Sequence, residues 1–332
     1  MRGLIAFLAV LGIVSGVTAQ EAAQQPAPKA EFTIPDDVEL LKDIPYANDN
    51  HQKHKLDILR LKNAPKEPMP VIVWIHGGGF RGGSKTSGYQ RLLRFVRRGY
   101  CGVTIDYRFS TEAIFPAQLQ DCKCAIRFLR AKAKDYNIDP DRIGVWGASA
   151  GGNLVAMLGT TGGIEEFEGN GGWQEYSSRV QAVVVYYAMT DFLAIEELVK
   201  QGKATERFMR HDGKDSASGL LGGPFWEKPE LCRKASPTTY ASKDDPPFYI
   251  FHGDQDPLTP ASQGELLNKV LREAGVDSNF YLVKGGKHGW PARPDVDEKV
   301  DEFFDKHLKA VKSDTDQVTG ISPCCGVPVV AP

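Results

Sequence analysis

Seven short apolar runs rich in β-branched or aromatic residues recur along the chain, at Leu56–Leu61, Val71–Ile75, Cys101–Ile105, Ile143–Trp146, Val180–Tyr187, Phe248–Phe251 and Phe280–Val283. Amphipathic stretches fill the gaps between them, at Tyr89–Arg98, Ala117–Lys134, Gly151–Leu158, Ala261–Ala274 and Asp297–Val311. Strands that alternate with helices predict an α/β fold, a mainly parallel sheet covered by helices on both faces. In such sheets binding and catalytic groups collect at the carboxyl ends of the strands, so the residues that follow each run carry the functional information. The pattern is continuous from about Phe32 to Val311 without repeat or linker. In a chain of 332 residues this reads as one domain of generous size.

Composition excludes several classes of partner. Forty Lys and Arg against 42 Asp and Glu give a net charge of −2, with no block of like charge to hold nucleic acid. After the N-terminus no apolar stretch approaches the roughly 20 residues that cross a bilayer. The first 19 residues read as a signal peptide: Arg2, then the apolar run Leu4–Val14, then small residues at Val17-Thr18-Ala19 with cleavage after Ala19. A membrane anchor is the competing reading of that run. Residues 20–42 read as a flexible leader, 43–311 as the catalytic domain and 312–332 as a flexible tail, so the expected location is periplasmic or secreted, with no membrane association after cleavage. The six cysteines are even in number but poorly spaced for a disulfide framework or zinc, and Cys101 and Cys124 are expected as buried thiols.

Motifs at four strand ends carry chemistry. Ile143–Trp146 runs into Gly147-Ala-Ser149-Ala-Gly-Gly152 and then into a helix, the strand-turn-helix context of a nucleophile elbow, with Ser149 as nucleophile. Val71–Ile75 runs into His76-Gly-Gly-Gly-Phe80, whose glycines can bare backbone amides to an oxyanion, with His76 as a loop brace. Gly77-x-Gly79-x-x-Gly82, with Asp106 further on, also matches a dinucleotide fingerprint and supports an alternative NAD-dependent oxidoreductase. That reading leaves the Ser149 elbow unexplained. Phe248–Phe251 runs into His252-Gly-Asp254-Gln-Asp256-Pro257, where Asp256 is the better histidine orienter and Asp254 the fallback. His288, in the glycine loop Lys284–Trp290, is the base, and His252 is structural. His51, His54, His211 and His307 are expected on the surface.

The order Ser149, Asp256, His288 is that of the α/β-hydrolase fold. With His76–Phe80, Asp106-Tyr-Arg108, Phe115-Pro-Ala117, Gly147–Gly152, Leu221-Gly-Gly223, Ala235-Ser-Pro237, His252–Pro257 and His288-Gly289, the sequence resembles the esterase/lipase superfamily with the HGGG oxyanion loop, most closely its secreted carbohydrate-esterase branch of bifunctional feruloyl and acetyl esterases. The resemblance spans roughly Asp43 to Leu308. It implies a catalytic triad of Ser149, Asp256 and His288 and an oxyanion hole of Gly78, Gly79 and Ala150, with Gly77 able to replace Gly79. Phe80 and Trp290 are the expected substrate contacts, while Tyr107 and Arg108 are assigned to structure.

The chemistry so implied is cleavage of short acetyl or feruloyl esters of carbohydrates, from a small molecule or a polysaccharide, with no cofactor and no metal. Alternatives are a general carboxylesterase or lipase and a carbohydrate-binding module on a retired hydrolase scaffold. A small lid is expected over about 190–245. Its Phe208, Met209, Phe225 and Trp226 either line an acyl or phenolic pocket or form the lid's own core.

Overall fold

A computed structural model describes residues 32–201 and 214–309, and all elements below belong to the unit that begins at Ile34. Eight strands form one sheet: β1 (Val38–Pro45), β2 (Lys55–Leu61), β3 (Met69–Ile75), β4 (Cys101–Ile105), β5 (Ile138–Ala148), β6 (Ala182–Tyr186), β7 (Phe248–Gly253) and β8 (Ser278–Val283). Their spatial order is β1-β2-β4-β3-β5-β6-β7-β8. The β1–β2 and β2–β4 pairs are antiparallel and all the others parallel. This is the α/β-hydrolase fold.

The helices are α1 (Tyr89–Val96), α2 (Ala117–Ala131), α3 (Ala133–Tyr136), α4 (Ala150–Thr160), α5 (Phe192–Lys200), α6 (Ser216–Leu221), α7 (Pro229–Ala235), α8 (Ser262–Glu273) and α9 (Pro294–Leu308). Because side chains alternate across a strand, β3 sends Val71, Val73 and Ile75 into one apolar cluster and Ile72 and Trp74 into the other. The first cluster is closed by α2, α4 and α8, the second by α1 and α9. Strands β3, β4 and β6 are buried along their whole length, the expected state of parallel strands with helices on both faces. Helix α4 is buried on every side, which fits its lack of any charged residue.

Several expectations need correction. Residues 38–42, read as part of a flexible leader, belong to β1, whose ladder with β2 begins at Val38 opposite Leu61. Strand β5 starts five residues earlier than expected. Its Asp139-Pro140-Asp141 resembles a turn, and the β3–β5 register shifts there between Met69 and Val71. The single helix expected over Ala117–Lys134 breaks at Lys132, and α3 ends on Asn137 in the left-handed region.

Within 190–245, α5, α6 and α7 put Phe192, Ile195, Leu220, Leu221, Cys232 and Ala235 into the first core cluster, the short 3-10 turn Phe225–Glu227 adds Phe225, and Trp226 packs against it. Phe225 and Trp226 are therefore packing residues, in edge contact at 5.2 Å between ring centroids. Phe208, Met209 and His211, the expected signal peptide, residues 20–31 and residues 310–332 lie outside the described residues. Cys101, Cys122, Cys124 and Cys232 are buried free thiols.

Candidate active site

Ser149 stands between the end of β5 and the start of α4 with φ +55° and ψ −120°, a sparsely populated conformation for a residue with a side chain. Two glycines make the turn possible. A Cβ on Gly147 would stand 2.3 Å from the Gly151 oxygen, and one on Gly151 would stand 2.1 Å from the Ile75 oxygen, so strand, turn and helix touch through bare backbone. The Ser149 amide donates to the Tyr186 carbonyl at 2.9 Å and ties the turn to the neighbouring strand.

His288 Nε2 lies 2.8 Å from Ser149 Oγ, and His288 Nδ1 lies 2.8 Å from Asp256 Oδ2. The Asp256 side chain is fully buried while that of His288 keeps 18% exposure, so the carboxylate is dry and the imidazole remains open to the cavity. Asp256 Oδ1 accepts from the amides of Leu258 at 2.8 Å and Thr259 at 2.9 Å. His252, fully buried, directs Nε2 at the Thr259 carbonyl at 3.0 Å, with Asp256 Oδ2 a longer 3.4 Å away. The carbonyl is its main acceptor and the carboxylate its second. Burial pushes the Asp256 carboxyl up, but His252, His288 and the Thr259 amide together hold it well below the usual carboxylate range. An ionised Asp256 requires the proton on Nδ1, which leaves Nε2 free to accept from the Ser149 hydroxyl.

Asp254, the fallback orienter, is exposed, and its Oδ1 accepts from the Gly285 amide at 2.7 Å, so it braces the loop that carries His288. His252, expected as structural, is a brace on the site's own acid. His76 holds its loop by pairing Nδ1 with the Gly77 carbonyl at 2.7 Å and stacking on Tyr107 at 4.5 Å, and Tyr107 donates to the His76 carbonyl at 2.9 Å. Arg108 makes a forked contact with Asp121. His54, expected on the surface, is buried with Asp49 and Asp121 on its two nitrogens.

A cavity of about 620 Å³ opens over Ser149 and His288. Gly77, Gly78, Gly79, Phe80 and Ala150 all line it. Among the described residues no protein acceptor takes the amides of Gly78, Gly79 or Ala150, and φ of +116° and +61° at Gly78 and Gly79 turns that backbone in a way a side chain would resist. Gly77 serves spacing as well, since a Cβ there would stand 2.7 Å from the Ala148 oxygen. Ala150 opens α4, so its amide adds the positive end of the helix dipole.

Trp290, an expected substrate contact, does not line this cavity. It lines a neighbouring one of about 380 Å³ and packs on Tyr186 and Tyr187 at 5.0 and 5.1 Å. Tyr187, which no motif singled out, lines both cavities and meets the His288 ring edge-on at 4.8 Å. The available signal was its place immediately after β6, at the carboxyl edge of the sheet.

Known proteins resemble this chain in both sequence and shape. A family model described as BD-FAE matches residues 56–271. Esterase LipQ of Mycobacterium tuberculosis is 30% identical over 248 residues, 74% of this chain and 56% of that protein. The chain thus spans about half the length of the curated relatives it matches. Among solved structures, a truncated carbohydrate esterase from gut microbiota superposes with a TM-score of 0.73 at 30% identity, over 81% of this chain and 95% of that one. A bifunctional GH43-CE protein of Bacteroides eggerthii superposes with a TM-score of 0.74 at 32% identity, over 83% of this chain and 36% of that one.

Proposed function

The chain belongs to the BD-FAE family of α/β-hydrolase esterases, and from that premise we propose that it is a serine carboxylic-ester hydrolase acting on short acyl esters of carbohydrates, acetyl or feruloyl. The observation that carries the reading is the unbroken chain Ser149–His288–Asp256, 2.8 Å at each link. Ser149 Oγ attacks the ester carbonyl while His288 Nε2 takes its proton, and Asp256 holds the imidazole and stabilises its charge. The amides of Gly78, Gly79 and Ala150 receive the developing oxyanion. His288 then gives the proton to the departing alcohol, and water repeats the sequence on the acyl-enzyme. The relatives named as carbohydrate esterases support a sugar on the alcohol side. A cavity of 620 Å³ that has to admit the acyl group and the reacting ester over Ser149 supports a short acyl chain.

The test is a panel of p-nitrophenyl esters of rising chain length beside acetylated xylan and methyl ferulate, with Ser149→Ala as control. Each methylene that fits gains roughly 0.8 kcal/mol, so catalytic efficiency should rise over the first few carbons and fall once the pocket is full. Ser149→Ala should lose on the order of 10⁴-fold while keeping its fold. An active Ser149→Ala protein, or a maximum at long acyl chains with activation at an oil-water interface, overturns the reading. The same proposal includes export, on Arg2, Leu4–Val14 and Val17-Thr18-Ala19. Sequencing the N-terminus of the exported protein should begin at Gln20.

A further inference from the structure

The smaller cavity beside the candidate active site is lined by more donors than acceptors, and its one lining carboxylate, Asp297, is paired with Arg94. It shares Ser87, Arg91 and Tyr187 with the larger cavity, so a molecule seated over Ser149 can extend into it. Trp146 and Tyr186 line it at 1% and 5% exposure, yet the indole N–H and the phenol hydroxyl have no hydrogen-bond partner among the described residues. A buried donor left unpaired costs free energy that a bound acceptor restores.

The charges on the wall differ in their commitments. Arg94 is held by Asp297 and Asp301, and Arg293 by Asp295. Arg91 has no carboxylate partner among the described residues and lies with its guanidinium carbon 4.8 Å over the Trp74 ring, at the rim the two cavities share. The uncommitted groups among the described lining residues therefore include the Arg91 guanidinium, the Tyr186 hydroxyl, the Trp146 N–H and Arg94 Nη2, beside the aromatic face of Trp290.

We propose that this cavity is the alcohol-side subsite and that it selects esters whose alcohol carries a carboxylate, such as a uronic acid, with Arg91 pairing the carboxylate and Tyr186 and Trp146 donating to its neighbouring oxygens. The proposal rests on the esterase reading for its turnover but not for its binding. A carboxylate satisfies a guanidinium and two donors at once, whereas a neutral alcohol leaves the Arg91 charge unused. Trp290 and Tyr187 supply the flat apolar face on which a sugar or aryl ring lies.

Two acetates with the same acyl group test this: 4-carboxyphenyl acetate and its neutral counterpart 4-carbamoylphenyl acetate. The ratio of their kcat/KM values in the parent, divided by the same ratio in Arg91→Gln or Tyr186→Phe, cancels the intrinsic reactivity of the two leaving groups. A hydrogen bond to a charged group predicts a fall of about tenfold for Arg91→Gln and a smaller fall for Tyr186→Phe. In parallel, 4-hydroxybenzoate and 4-hydroxybenzamide are titrated against tryptophan fluorescence, with the benzoate expected to bind more tightly and to lose that advantage in Arg91→Gln. Unchanged ratios in both variants, or equal binding of benzoate and benzamide, overturn the subsite. Selective benzoate binding by a protein that hydrolyses neither acetate supports the subsite and sinks the esterase reading instead.

Discussion

Replacing Asp256 by Asn separates the role of the buried acid from its shape. Oδ1 is fixed by two amide donors, Leu258 and Thr259, so the side-chain oxygen of Asn keeps that position and the new amino group falls where Oδ2 stood. There it faces His288 Nδ1, and 3.4 Å from the old Oδ2 lies His252 Nε2. A donor opposite Nδ1 forces the imidazole into the tautomer with its proton on Nε2, which then has no lone pair for the Ser149 hydroxyl. Loss of the correct tautomer is worth about 10⁴-fold, or about 5.4 kcal/mol at 1.36 kcal/mol per decade.

Asp254→Asn leaves an oxygen able to accept from the Gly285 amide and should cost less than about threefold. The assay is kcat/KM on p-nitrophenyl acetate for both variants, with circular dichroism to establish that each is folded. An Asp256→Asn enzyme within tenfold of the parent, or an Asp254→Asn enzyme that loses more than Asp256→Asn, refutes the assignment of roles in this loop.

Two further outcomes follow from packing and charge. Gly151→Ala gains about 1 kcal/mol of helix propensity but drives a methyl to 2.1 Å from the Ile75 oxygen and 2.5 Å from the His76 oxygen, so a net loss of about 3 kcal/mol is expected, a fall of roughly 10 °C in Tm by calorimetry; an unchanged Tm would show that the elbow does not depend on this contact. Burial pushes the His54 imidazole down, but Asp121 and Asp49 outweigh it and hold its pKa above 6.5. Its contribution is therefore fully present below pH 6.5 and lost as pH rises through the folded value, so the stability penalty of His54→Gln in urea should shrink from below pH 6.5 to well above it, and an equal penalty at both ends would contradict the pairing.

What the sequence made legible was whatever follows from local chemistry. Cys101–Ile105 is a buried parallel strand and reads as one because every residue between its ends is apolar, β-branched or small. The Ser149 turn is legible because only glycine fits at 147 and 151. β1 was missed because it is an edge strand, with its alternation broken at Asp43 in the left-handed region and a register shift between Leu41 and Ile44. His54 looked like a surface residue because nothing near it in sequence announces Asp121, which arrives from α2. Trp290 follows Gly289 at φ +101°, and the direction of a side chain after such a turn is set by what it lands on, here Tyr186 and Tyr187.

Tyr187 carried only a positional signal, its place after β6, for a reason that concerns the site as a whole. Ser149 follows β5, while Asp256 follows β7 and His288 follows β8, the third strand over. At about 4.8 Å per strand that places the His288 loop some 14 Å from Ser149 before any loop bends back. The gap is closed from both sides. Gly253 and Gly286 approach so closely that a Cβ on the first would stand 2.2 Å from the oxygen of the second, and the Gln255 amide donates to the same Gly286 oxygen at 2.9 Å, so the Asp256 and His288 loops are tied to each other. Tyr187, at φ +36° and tied to β7 through its amide on the Phe251 carbonyl at 2.8 Å, occupies the space above β6 that the two loops must cross. Its ring is the surface on which His288 comes to rest. A residue in that role has no chemistry of its own for a motif to record. Its place after β6 marks the position, and the strand order shows why something has to fill the span between Ser149 and His288 there.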